Sequence, residues 1–88
     1  MNSTLKHIEL IDRIDQLIRL QATGTPLQLA HKLGISKAKL YRTLHTMRAL
    51  KAPLEYDNGI QSFVYYETVG FTVGFFSKER INRKSRLV

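Results

Sequence analysis

The chain has no cysteine. That excludes a disulfide framework, a cysteine-ligated zinc finger and an iron–sulfur site. No stretch approaches the ~20 continuous apolar residues of a membrane-spanning helix. The opening MNSTLKHIELID lacks the apolar core and small-residue cleavage site of a secretory signal, so a reducing, cytoplasmic location is expected. His7, His31 and His45 have no metal-ligand spacing. Ser36 and Ser62 show no arrangement with a base and an orienting group, so no catalytic set is expected and no cofactor is implied. The most informative absence is local. From His31 to Lys51, HKLGISKAKLYRTLHTMRALK, there is no Asp or Glu, while Lys32, Lys37, Lys39, Arg42, Arg48 and Lys51 supply six positive charges.

Against these absences stand 88 residues with a formal charge of +7. The length suits one domain with a single small core. The charge points to a polyanionic partner, and it is unevenly placed. Residues 1–30 are neutral, 31–52 carry +6, 53–76 carry −3 and 77–88 carry +4. A domain over 1–76 followed by a basic C-terminal tail over 77–88 is the resulting division.

Apolar spacing predicts a first helix from about 6 to 22. Leu10, Ile11, Ile14, Leu17, Ile18 and Gln21 fall on one side, and Asp12, Arg13, Asp15, Gln16 and Arg19 on the other. Leu5, Ile8 and Leu20 lie off this stripe and leave room for a second surface, a dimer contact included. Gly24 suits the left-handed position that ends the helix. Thr25 as N-cap, Pro26 at the first helical position and Gln28 three after the cap predict a second helix beginning at Pro26. Leu29, Ala30 and Leu33 face inward, and Gly34 stops it. Ile35 plugs the corner. Ser36 caps a third helix running from Lys37 to about Lys51, with Leu40, Leu44, Met47 and the stem of Lys51 on its inner face and Thr43 and Leu50 flanking. Its opposite face holds Ala38, Arg42, His45 and Ala49, with Lys39, Tyr41 and Thr46 on the shoulders.

After Pro53 the period changes. LEYD and IQSFVYYE flank Asn58-Gly59, a hairpin signal. A two-residue turn sets Leu54 opposite Phe63 and Tyr56 opposite Gln61; a looser turn through Ser62 shifts that register. Leu54, Tyr56, Phe63 and Tyr65 share the face read as core. Val69, Phe71, Val73 and Phe75 alternate as a further strand weakened by Gly70 and Gly74.

A short helix, a tight turn at Gly34 and a second helix form a helix-turn-helix. In this geometry the second helix offers its N-terminal half to the major groove. Arg42 can chelate guanine O6 and N7, and Lys39 can reach guanine or phosphate. Tyr41, His45 and Thr46 can bond phosphates or base edges. Ser36 and the first helix amides can hold a phosphate.

LAHKLGISKAKLYRTL resembles the helix-turn-helix of the bacterial winged-helix domains at the N-terminus of biotin-repressor-type and DeoR-type regulators. The matching run is Leu29-Ala30, Leu33-Gly34-Ile35-Ser36, Lys37-Ala38-Lys39 and Leu40-Tyr41-Arg42. The continuation ALKAPLEYDNGIQSFVYYE is similar to the strand, wing and strand that follow there, and the resemblance covers roughly residues 5–67. It implies an α+β, three-helix winged helix-turn-helix with a C-terminal β-hairpin wing, here with an extra strand. It also implies that Ser36, Lys37, Lys39, Tyr41 and Arg42 fall where the family contacts DNA. The chain departs from the family at the wing tip, Asp57-Asn58-Gly59-Ile60-Gln61, which has no positive charge, leaving Asn58, Gly59 and Gln61 to touch a groove edge. The basic tail offers a replacement for that missing charge. It departs also in having no region assignable to a small-molecule effector.

The expected function is sequence-specific binding of double-stranded DNA, as a transcriptional regulator or accessory factor, with the 37–51 helix in the major groove and a homodimer supplying two half-sites. The alternative is a winged helix serving as a protein-interaction or RNA-binding module.

Overall fold

The computed structural model describes residues 3–72. It is an α+β arrangement of three helices followed by a two-stranded antiparallel hairpin, compatible with a winged helix: α1 (Ser3–Arg19), α2 (Pro26–Leu33), α3 (Lys37–Ala49), β1 (Leu54–Asp57) and β2 (Ser62–Tyr65). No helix among the described residues is long and apolar enough to cross a membrane. The basic tail at 77–88, and Val73 and Phe75 of the expected extra strand, lie outside the described residues. Residues 68–72 form no strand; Phe71 packs against the core instead.

The first helix begins and ends three residues earlier than its apolar spacing suggests. Its stop is Gln21, in the left-handed region at φ 53°, not Gly24. The Gln21 N–H bonds the Ile18 carbonyl and the Ala22 N–H the Leu17 carbonyl, both at 2.9 Å, so the last turn is closed from beyond the helix. Gly24 does other work. Its φ is 71°, and a Cβ there would stand 2.5 Å from Gln28 Oε1. That oxygen accepts the Thr25 N–H at 2.8 Å while Thr25 Oγ1 accepts the Gln28 N–H at 3.2 Å. Gly24 therefore leaves space for the reciprocal cap that starts α2 where Thr25-Pro26 places it.

Gly34 ends α2 in the left-handed conformation, φ 67°, and the Ile35 N–H closes onto the Ala30 carbonyl at 3.0 Å. Ser36 then caps α3, its Oγ accepting the Lys39 N–H at 3.1 Å. The helix stops at Ala49, two residues short of the expected end, because Lys51 takes the left-handed position at φ 77° and the Ala52 N–H bonds the Met47 carbonyl. Lys51 is thus exposed just beyond the C-terminus of α3, where it lines a concavity together with Ile11 and Met47 of the core. Thr43 takes the inner place, 1% exposed, with its hydroxyl donating to the Lys39 carbonyl at 2.9 Å.

The core joins Ile11, Ile14 and Ile18 of α1, Leu29, Ala30 and Leu33 of α2, Leu40, Leu44 and Met47 of α3, and Leu54 and Phe63 of the hairpin. Gln21 and Leu20 remain exposed. The hairpin register differs from the two-residue turn: Leu54 pairs with Tyr65, Tyr56 with Phe63 and Asp57 with Ser62. The connection is a four-residue loop, Asn58 to Gln61, in which Gln61 and not Gly59 takes positive φ, 51°. Asp57 Oδ1 holds it by accepting the Gly59 N–H at 2.7 Å and the Ile60 N–H at 3.3 Å. Leu54, Tyr56, Phe63 and Tyr65 still share one face, because both registers keep their parity, and Tyr56 meets Phe63 edge-to-face at 5.0 Å.

Two buried polar contacts tie the hairpin to α1 and its following loop. Thr23 Oγ1 accepts the outward N–H of Phe63 at 2.8 Å, donates to the Gly24 carbonyl at 2.9 Å and lies 3.1 Å from Ser62 Oγ. This gives the outward Phe63 N–H of β2 a buried acceptor without a third strand. Asp15, expected on the outer face of α1, is 5% exposed. It accepts the Tyr65 hydroxyl at 2.6 Å and the Arg19 Nε at 3.0 Å, while the Arg19 guanidinium lies 5.3 Å from the Tyr65 ring centre. Burial, and then the bond to Asp15, push the Tyr65 phenol well above its ordinary value. The unfolded chain loses that proton near pH ~10 while the folded chain keeps it, so stability falls as pH rises above ~10. Urea unfolding from pH 8 to 11 is expected to show a shallower alkaline loss in Tyr65→Phe than in the natural chain. An unchanged slope contradicts this role.

Candidate nucleic-acid interface

α3 turns one face to the core and one to solvent. Leu40, Thr43, Leu44 and Met47 are buried. Ser36, Lys37, Ala38, Lys39, Tyr41, Arg42 and His45 are exposed, so seven of the eight residues expected on this surface stand on it. Ala38, Arg42 and His45 recur at spacings of four and three, which align them opposite the buried stripe. Among the described residues the side-chain cations of Lys37, Lys39 and Arg42 have neither ion-pair nor hydrogen-bond partners, the sole ion pair there being Arg19 with Asp15.

Thr46 differs from expectation. It is half-buried and its hydroxyl donates to the Arg42 carbonyl at 3.1 Å. The proton is used within the helix, so Thr46 meets an outside group as an acceptor and through its methyl. Ser36 is the reverse case. Its oxygen accepts from the helix, which leaves the hydroxyl proton free to donate outward. Lys32 belongs to the basic run but is committed elsewhere, its Nζ donating to the Ala22 carbonyl at 2.6 Å. The run of six cations thus divides. Lys37, Lys39 and Arg42 occupy the N-terminal half of α3, Lys32 braces the loop after α1, and Arg48 and Lys51 lie at the far end.

Asn58, Gly59 and Gln61 are exposed together on the hairpin loop. The charge there is the Asp57 carboxylate, already bound to two loop amides. An apolar concavity of about 310 Å3 lies at the other end of α3, beneath residues 69–71 and lined by Ile11, Met47 and Tyr65. It shares no residue with the outward face of α3. Among the described residues no group of three or more His, Asp or Glu side chains is placed to hold a metal ion.

The structure also brings α1 beside this surface. Lys6 and Arg13 share an open groove with Lys39. These residues are 26 to 33 positions apart in a chain whose first 30 residues are neutral, so no local charge signal marks them. Comparison with protein-family models, curated proteins and solved structures finds no match to this chain.

Proposed function

We propose that this chain is a winged helix-turn-helix that binds duplex DNA in a sequence-specific manner, as a transcriptional regulator or accessory DNA-binding factor. The observation that carries the reading is the unpartnered cationic face at the N-terminal half of α3, exposed beyond a tight turn held by Gly34 and Ser36. α2 and α3 serve as the helix-turn-helix and the hairpin as the wing. α3 enters the major groove N-terminus first, a geometry that places its first two turns at base edges.

The roles follow from the chemistry. Lys37, the Ser36 hydroxyl and the free amides at the start of α3 meet phosphate, where the helix dipole favours negative charge. Arg42 is a planar fork that matches guanine O6 and N7. Lys39 reaches guanine or the flanking phosphate. Tyr41 and His45 bond base edges or phosphates from either side, and Ala38 is small enough to admit close approach or a thymine methyl. The wing contributes amide contacts from Asn58 and Gln61 rather than charge. A second copy supplies the second half-site.

Anisotropy titration of the chain against a labelled duplex and a single-stranded RNA of equal length, over a range of salt, tests the reading. Tighter, steeply salt-dependent binding to the duplex is expected. Equal or tighter binding to the RNA overturns it. On the preferred duplex Arg42→Ala is expected to cost about 1–3 kcal/mol, with a much smaller loss on a scrambled one. An equal loss on both removes Arg42 from base reading.

A further inference from the structure

An open groove of about 580 Å3 runs between the N-terminal part of α1 and the α2–α3 turn. Lys6, His7 and Arg13 of α1 and Lys39 of α3 line it, with Glu9 as the acid among them. All five are exposed. Leu10 and Ile35, half-buried against the core, give the groove an apolar floor. Glu9 stands three residues from Lys6 and four from Arg13, spacings at which helix ion pairs form. Neither pair closes among the described residues. The cations of two separate helices are left facing one concavity.

We propose that this groove holds a backbone phosphate of the duplex, on the strand bordering the major groove that α3 enters; the proposal rests on the DNA-binding reading above. Lys39 belongs to both the groove and the outward face of α3, so a strand in contact with one passes directly to the other. A phosphodiester pairs an anion with an apolar sugar. The rim cations meet its oxygens and the floor meets the deoxyribose. α1 thereby becomes a positioning element that fixes the angle at which α3 lies in the groove, without reading bases.

The test measures binding of the full chain to a 20-base-pair duplex carrying the preferred site and to a scrambled duplex, between ~50 and 300 mM salt. Lys6→Gln/Arg13→Gln is expected to weaken both duplexes alike, about 5- to 10-fold at low salt, and to lower the magnitude of the log K against log salt slope by about 1. The charge-keeping pair Lys6→Arg/Arg13→Lys retains affinity. Glu9→Gln removes the opposing charge and is expected to tighten both duplexes about 2- to 3-fold, a gain that misfolding cannot produce. Arg42→Ala runs in parallel. If it weakens only the preferred duplex while the groove variants, Glu9→Gln included, match the natural chain, the groove proposal is overturned and the DNA-binding reading stands. If the natural chain shows no salt-dependent duplex binding at all, both fall.

Discussion

Replacing Lys37, Lys39 and Arg42 together by glutamine is expected to weaken duplex binding roughly 100-fold at ~0.15 M salt. Each phosphate neutralised by Lys37 and Lys39 releases about 0.9 of a counterion, worth about 1 kcal/mol at that salt, and the guanine contact of Arg42 contributes about 1 kcal/mol or more, so the three amount to about 3 kcal/mol. The same change lowers the magnitude of the slope of log K against log salt by about 1.8, from the two lysine–phosphate contacts. All three side chains are exposed and unpartnered, so stability should move by no more than ~0.5 kcal/mol. The matched control is Arg48→Gln with Lys51→Gln, which removes charge from the other end of α3. Long-range attraction alone would respond to net charge and treat the two sets alike per charge. Docking through the N-terminal half of α3 makes the first set cost several times more per charge. Equal effects per charge would count against insertion of α3.

Asp15→Ala is expected to destabilise the fold by about 2–3 kcal/mol, read as a lower urea midpoint. Asp15 is the buried acid that fastens α1 to β2 through the Tyr65 hydroxyl at 2.6 Å. A hydrogen bond to a charged acceptor contributes about 1.5–3 kcal/mol, and its loss leaves the half-buried Tyr65 hydroxyl without its partner. Arg19 adds little, since its side chain is 41% exposed and the pair is bathed in solvent on that side. Asp15→Asn keeps an acceptor for Tyr65 and should lose about half as much. A loss below ~0.5 kcal/mol in Asp15→Ala would show that the isoleucine stripe of α1 alone holds the hairpin in place. Because the hydrogen bonds of Asp15 go to Tyr65 and Arg19 and to no residue on the outward face of α3, the folded fraction of the variant should bind duplex with unchanged affinity.

The parts of this structure that were readable in advance are those whose causes are local. Thr25, Pro26 and Gln28 set the start of α2 within three residues of one another, and Gly34 and Ser36 set the turn and the next start in the same way. The outward face of α3 follows from helical spacing once the helix is placed, which is why Lys37, Lys39, Arg42 and His45 stand where they were expected. What escaped has a distant or permissive cause. Gln21 and Lys51 end helices in the left-handed conformation, a position most often given to glycine, so no glycine marked either stop. The hairpin register is held by Asp57 gripping its own loop and by Thr23, forty residues from the Phe63 amide it accepts. Asp15 reads as a surface acid because its partner, Tyr65, is fifty residues away. The groove shared by Lys6, Arg13 and Lys39 escaped for the same reason, since charge summed along the chain records none of the crossing of α1 over the α2–α3 turn.

The most direct measurement is selection of bound duplexes from a random pool, carried out in parallel with the natural chain and with Arg42→Ala. The natural chain is expected to enrich a shared motif containing a guanine, repeated with two-fold symmetry if two copies bind, and the variant to lose preference at that guanine alone. A pool that stays random, or a motif identical in both selections, would contradict base reading by α3.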